Sequence, residues 1–307
     1  MRSKQNQPEY SRQQAVAILR TCYNNYGSNV RDEVISKSFV EDSLGDLPDR
    51  HNSGLFRILD EAIYLYQLVS YFSLAAASLE KSQSSQMILF YQIKKNLMAV
   101  RVLSANGLDG PARQNLRTLF EMCHSLCRCL VDPEFMQEFS KQSSLESANK
   151  FWHLFISKQK NEKFLTLYNE FSEHKCPLVG GDNFSKAFSV LGVGAHPNYL
   201  GWVLDFKSDW EQNSNDDEMF SFYPTQSTEF VLVNACEISL STLSFTASKI
   251  RDISRPLALF EKNPLFKHYD DDLSALDGIG KTAGLITVML AKWINRQKPN
   301  FDPEIHF

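Results

Sequence analysis

One stretch of the sequence, Asp109–Val131, carries residue types that could bind an anion and transfer a proton. If the stretch is helical, at about 100° per residue its polar side chains fall within a sector roughly 80° wide. These side chains, which we call the polar row, are Arg113, Arg117, Glu121, His124 and Arg128. Guanidinium groups are suited to holding phosphate or carboxylate. An imidazole can exchange a proton near neutral pH.

Two interpretations of the polar row remain open at this stage. Arg117 and Glu121 are spaced i,i+4, which is typical of ion pairs on a solvated helix face. The rest of the stretch is unusually apolar, however, with Met122 and Cys129 nearly opposite the row. A helix that is apolar on most sides is usually central, and charges on it need partners inside the fold.

A second candidate for chemistry is His196, which ends the run SVLGVGAH and precedes Pro197. Because a residue before proline avoids helical geometry, we expect His196 at a helix end or a turn. From there its ring could reach a neighbouring helix and titrate near neutral pH. A hydrogen-bonded structural histidine is the alternative.

Taken together, the two stretches resemble a family of uncharacterised bacterial all-helical proteins related to the HEPN superfamily of ribonucleases and nucleotide-binding proteins. The shared pattern is an Ala-Arg-x3-Arg-x3-Glu helix, an Asp-Pro-Glu stop and a later His-Pro turn, which covers roughly Leu89–Leu200. The positions that match this pattern are Arg113, Arg117, Glu121 and His196.

HEPN ribonucleases carry Arg-x4–6-His on one helix, and Arg117 and His124 fit that spacing. The resemblance implies an RNA- or nucleotide-binding protein, or a metal-independent ribonuclease of defence or toxin type, that acts as a homodimer. Arg113, Arg117 and Arg128 would hold phosphate, while Glu121 would orient an arginine. His124 or His196 would take the 2′-hydroxyl proton as general base. No cofactor or metal is implied.

The competing hypothesis is a non-catalytic helical interaction module whose polar row is a structural network that fixes helix register. The composition bears on both hypotheses. The chain of 307 residues has a formal net charge of -4, so binding of nucleic acid would depend on a local patch. Six cysteines in no disulfide or zinc spacing, and an N-terminus without an apolar run, indicate free thiols in a reducing cytoplasm.

The elements that must position these residues are predicted to be helices in an all-α, multi-helix bundle. Long helices with short connections are typical of that architecture, and a small β-hairpin is expected around 203–223. The uncharged run Ala62–Leu79 approaches the length of about 20 residues that a membrane span needs, but we interpret it as a buried helix. The expected organisation is an N-terminal helix and loop (1–48), one helical-bundle domain (49–300) and a tail (301–307).

The same periodicity predicts helices over Arg12–Tyr26, from about Leu55 to Lys81, and over Met87–Ser104, with Ser82–Ser85 as a break. The stretch Ala275–Thr282 matches a loose P-loop, but it does not follow a buried strand. We therefore expect Gly278 and Gly280 to form a turn before the last helix.

Overall fold

The fold was described from a computed structural model, which places residues 10–26, 52–74, 81–156, 226–252 and 269–297. All regular structure in these ranges is helical, which confirms the all-α prediction. In chain order the helices are α1 (Arg12–Tyr26), α2 (Ser53–Leu74), α3 (Lys81–Ala105), α4 (Asp109–Val131), α5 (Pro133–Ser140), α6 (Leu145–Phe151), α7 (Gln226–Asp252) and α8 (Tyr269–Gln297). A turn of π-helix, Trp152–Ile156, continues α6.

Two helices, α2 and α7, occupy the centre of the bundle. Helix α7 packs against α2, α3, α4 and α8, and α2 packs against α1, α3, α7 and α8. The apolar residues of α2 from Leu55 to Val69 are buried, and Arg57, Asp60 and Gln67 mark its one partly covered side. The interpretation of Ala62–Leu79 as a buried helix therefore holds for Ala62–Ser70, the part of the run whose burial is described. No helix in the described ranges is long and apolar enough to cross a membrane.

Helix α4, which carries the polar row, flanks this centre rather than forming it. It packs against α3, α7 and α5. Its N-terminal half has an exposed side at Pro111, Gln114 and Thr118, whereas every residue from Cys123 to Cys129 is buried. The polar row therefore runs from a half-covered region into a fully enclosed one.

Several local sequence signals are confirmed at residue level. Helix α1 has the bounds that the periodicity predicts, and its face of Ala15, Ile18, Leu19 and Cys22 is buried. The tight reversal between α3 and α4 contains Gly107 at φ 69°, a left-handed conformation that glycine adopts without steric cost. Asp132 is extended before Pro133 and ends α4, as expected for a residue before proline.

Two of the predicted boundaries are wrong. Ser82–Ser85 is not a break, because α3 begins at Lys81 and runs through it; serine and glutamine cost a helix only a few tenths of a kcal/mol each. Gly278 and Gly280 do not form a turn, because α8 is continuous from Tyr269. The P-loop-like stretch is thus helix, where Lys281 pairs with Asp277 one turn earlier and Ile279 is buried.

The first turn of α4 also differs from expectation. An aspartate at a helix start often caps the helix, but here Leu108 occupies the cap position and makes no side-chain cap. The carboxylate of Asp109 instead accepts a hydrogen bond from Thr228 Oγ1, 2.9 Å from each oxygen. This buried contact fixes the start of α4 against the start of α7.

Other predictions lie outside the described residues. They include His196, the hairpin around 203–223, Cys176 and the turn at Gly27. The five cysteines in the described ranges are free and buried, as predicted for them.

Candidate functional site

The polar row is mostly buried, which decides between the two interpretations that its spacing left open. Arg113, His124 and Arg128 are buried. The Arg117 side chain is 11% exposed, and Glu121, at 35%, is the part of the row that reaches solvent. A ligand in solution would therefore meet the row at Glu121 and Arg117 first.

Arg117 and Glu121 form an ion pair along the helix. The Arg117 Nε donates to Glu121 Oε1 at 2.7 Å, the i,i+4 contact that the sequence predicts. The guanidinium is more deeply covered than its carboxylate partner. Because this leaves the cation in a less polar setting than water, its attraction for an anion is stronger than that of a surface arginine.

Arg128 is held in the corner between α4 and α5. Its Nε donates to Asp132 Oδ2 at 3.3 Å, and its guanidinium carbon lies 4.5 Å from the centroid of the Phe135 ring. The other oxygen of Asp132 accepts from the Phe135 backbone N–H at 3.0 Å, so Asp132 also caps α5. A single carboxylate thus joins the cation, the helix cap and the aromatic ring.

His124 lies between these two pairs and is held neutral. Burial, and then the nearby charge of Arg128, lower its pKa from 6.5 to about 3. A neutral imidazole can accept a proton, but a group with so low a pKa is a weak base at neutral pH. Its ring is also closed off from solvent.

A buried tyrosine connects α4 to the centre of the bundle. Tyr66 of α2 donates to the backbone oxygen of Ser239 on α7 at 3.0 Å, and its hydroxyl lies 3.9 Å from Cys123 Sγ. Burial, together with the adjacent thiols, raises the pKa of Tyr66 well above 10.0, so the phenol stays protonated. These contacts tie together the three helices around the polar row.

A separate set of buried acids lies where α1 and Tyr10, two residues before it, contact the bundle; α1 itself packs on α2 and α8. The Tyr10 hydroxyl donates to Glu229 at 3.1 Å, and the Tyr23 hydroxyl donates to Glu61. Glu61 also pairs with Arg57 at 3.0 Å. In this set each buried carboxylate has a tyrosine donor, from α1 or from just before it, which indicates a structural attachment for that helix.

Sequence reasoning overlooked two acidic residues. Asp132 was treated only as a stop signal, although its i,i+4 spacing from Arg128 could have revealed the pair. Glu237, in the apolar stretch ACEISL of α7, was not considered. Burial raises its pKa from 4.5 to about 7, and a lone acid within an apolar helix face is the signal that could have found it.

The structure therefore brings Arg113, Arg117, Glu121, His124 and Arg128 onto one face of α4, with Asp132 at its end. The distance from this face to His196 is not defined by the described residues. Among those residues no group of histidine, cysteine or acidic side chains could hold a metal ion. Comparisons of the chain with protein-family models, with curated proteins and with solved structures give no match.

Proposed function

We propose that this chain is a HEPN-like helical-bundle protein that binds RNA or a nucleotide through its phosphate at the polar row. The observation that carries the proposal is the different exposure of two paired side chains: Arg117 is 11% exposed, whereas its partner Glu121 reaches solvent at 35%. A phosphate that replaced or bridged this carboxylate would meet a cation in surroundings less polar than water, where the attraction is stronger. Arg113 and Arg128 lie on the same face of α4 and add positive charge to it.

The middle and the C-terminal end of the row differ in what they can offer a phosphate. Arg128 is engaged by Asp132 and by the Phe135 ring, inside the corner between two helices. Arg117 is paired with Glu121 one turn along the same helix, and Glu121 reaches solvent. A phosphate could therefore exchange with or bridge that carboxylate, so the proposed contact is with Arg117, supported by Arg113 one turn earlier.

Binding is better supported than cleavage. A general base works best when its pKa is near the operating pH, and the pKa of His124 is about 3 in this buried setting. Ribonuclease activity would require His196, or a movement that exposes the His124 ring. A homodimer that brings two polar rows together belongs to the same proposal, because HEPN ribonucleases commonly act in that form.

The proposal is tested by titrating wild-type protein and Arg117→Gln with a labelled single-stranded RNA and with a labelled nucleotide. We expect about tenfold weaker binding by the variant, since a charge-assisted hydrogen bond contributes about 1.5–3 kcal/mol. Arg57→Gln is the matched control, because Arg57 also pairs with a glutamate one turn later and is 22% exposed. Equal affinities for all three proteins, or no binding by any, would remove the proposal.

Cleavage is examined in the same samples by incubating total RNA with a chelator present. Digestion by wild-type protein that His124→Gln abolishes would assign the base to His124. Digestion that survives this substitution would direct attention to His196. Intact RNA together with phosphate-dependent binding is the outcome that the buried imidazole favours.

A second candidate function is a non-catalytic interaction module, and the contacts of Arg128 favour it. A guanidinium stacked on a ring and paired with a helix cap is a structural arrangement. In this version the whole row serves to set the register of α4 against its neighbours. The two candidates differ in what Arg117 does, since only the first requires it for ligand binding.

A further inference from the structure

Helix α3 has a second apolar face that points to solvent. Its first face, which includes Phe90, Ile93 and Leu97, is buried in the bundle core. The second face carries Ile88 at 54% exposure and Val102 at 49%. Single exposed apolar residues are common on protein surfaces, but residues that recur at the spacing of a packed helix indicate an interaction surface.

The spacing of this second face is heptad-like. Ile88, Lys95 and Val102 are seven residues apart and correspond to a positions, while Tyr91 and Met98 fall at d positions. Lys95 and Tyr91 are exposed, and Met98 is partly buried against the core. The pattern is typical of a helix that packs alongside another helix.

The charge on this face restricts the partner. Helix α3 contains no acidic residue, and Lys94 and Lys95 lie 5.0 and 4.7 Å from the centroid of the Tyr91 ring. A second copy of α3 packed about a two-fold axis centred at this position would set Lys95 against Lys95, with like charges opposed. A polar residue at one a position also selects which partner fits.

We infer that the exposed heptad face of α3 is a docking site for an amphipathic helix of another protein that places a carboxylate opposite Lys95. The partner helix would pack apolar residues against Ile88, Tyr91 and Val102. Its glutamate or aspartate would pair with the Lys95 ammonium at the edge of the Tyr91 ring. This surface is separate from the polar row, so the inference does not depend on the proposed RNA or nucleotide binding.

The test uses the full chain and two synthetic peptides of about three heptads. The first peptide has glutamate at the positions that would face Lys95 and leucine at its remaining a and d positions. The second peptide has lysine in place of those glutamates. We expect the acidic peptide to bind and Val102→Asn to weaken it about tenfold, because an exposed valine becomes covered on docking. Val288→Asn is the matched control, since Val288 of α8 is also 49% exposed.

A charge swap distinguishes specific docking from non-specific hydrophobic binding. The Lys95→Glu variant should no longer bind the acidic peptide and should bind the lysine peptide. Equal binding of both peptides, or binding of neither, would overturn the inference. So would a self-associated wild-type protein that Val102→Asn converts to monomers, since the face would then belong to a second copy. Tyr91-dependent binding of polyuridine RNA without peptide binding would assign the surface to nucleic acid instead.

Discussion

Helix α4 contains two arginine–carboxylate pairs with the same i,i+4 spacing but different surroundings. Arg117–Glu121 lies near the middle of the helix, and its carboxylate side chain is 35% exposed. Arg128–Asp132 lies at the end, where the two side chains are 4% and 12% exposed. The local spacing is identical, so any difference in role must come from the tertiary environment.

The environment of Arg128–Asp132 adds an aromatic ring and a helix cap to the ion pair. Phe135 lies under the guanidinium, and Asp132 caps the next helix. Removing one partner of an enclosed pair leaves a charge without compensation, which costs far more than breaking a solvated pair. We therefore assign the end of the row to stability and its middle to ligand binding.

The largest effect is expected at the enclosed pair. Arg128→Met should lower the free energy of unfolding by about 3 kcal/mol, because Asp132 would remain buried without its cation. Urea denaturation measures this directly. The control is Lys141→Met, which breaks the exposed pair of Lys141 with Glu138 and should cost less than about 0.5 kcal/mol. Equal losses in the two variants would show that enclosure does not distinguish them.

The next effect concerns His124, which lies between the two pairs. Its folded-state pKa is about 3, against 6.5 for the unfolded chain. Between these values the unfolded state binds more protons, so the stabilising contribution is complete above pH 6.5 and is lost as the pH falls. From about pH 7 to pH 5 we expect His124 alone to contribute a loss of about 2 kcal/mol.

His124→Gln should remove this acid-side loss when urea denaturation is repeated across the pH range. His153→Gln, at an exposed histidine, is the matched control. An unchanged pH slope in His124→Gln would mean that the imidazole can be protonated in the folded protein. That result would bring His124 back as a candidate base for RNA cleavage.

A smaller effect of opposite sign is expected from Glu237 on α7. Its pKa rises from 4.5 to about 7 on folding, so the folded state binds more protons between these values. The contribution to stability is complete below pH 4.5 and is lost as the pH rises through about 7. Glu237→Gln should therefore remove a loss of about 1 kcal/mol between about pH 5 and pH 8, discounted for partial exposure.

The two titrations overlap with opposite signs, so between about pH 5 and pH 6.5 wild-type stability should rise by only about 1 kcal/mol, and each single variant should reveal the slope due to the other group. Glu146→Gln, at an exposed glutamate, is the control for the second variant. If Glu237→Gln is less stable than wild-type protein at every pH, the Glu237 carboxyl is not protonated in the folded state.

Local signals were enough to predict the elements that carry the row. Glycine adopts a left-handed conformation that other residues avoid, and proline disfavours helix in the residue before it. Gly107 and Pro133, each two residues outside the helix, therefore set the two ends of α4. Weaker signals failed: Ser82–Ser85 and the glycines of α8 are helical, because tertiary packing overrides propensities of up to about 1 kcal/mol per residue.

The candidate site was harder to predict, because burial depends on residues distant in sequence. The contact between Asp109 and Thr228 joins two residues that are 119 positions apart in the sequence. Nothing in the local sequence indicates that the carboxylate would prefer that hydroxyl to capping its own helix. The row itself could be predicted from the periodicity of α4. Which of its two ion pairs is enclosed depends on Phe135 and α5, which lie outside α4.

The smallest effect on stability is expected at the pair that we assign to binding. Arg117→Gln should lower the free energy of unfolding by about 0.5 kcal/mol, because the lost partner, Glu121, can be solvated. The same variant should bind RNA or nucleotide about tenfold more weakly, so the two measurements move independently. A loss of several kcal/mol would place Arg117 with Arg128 as structural, and the polar row would then act as one network. A small loss of stability without a change in binding would instead leave Arg117–Glu121 as an ordinary surface pair.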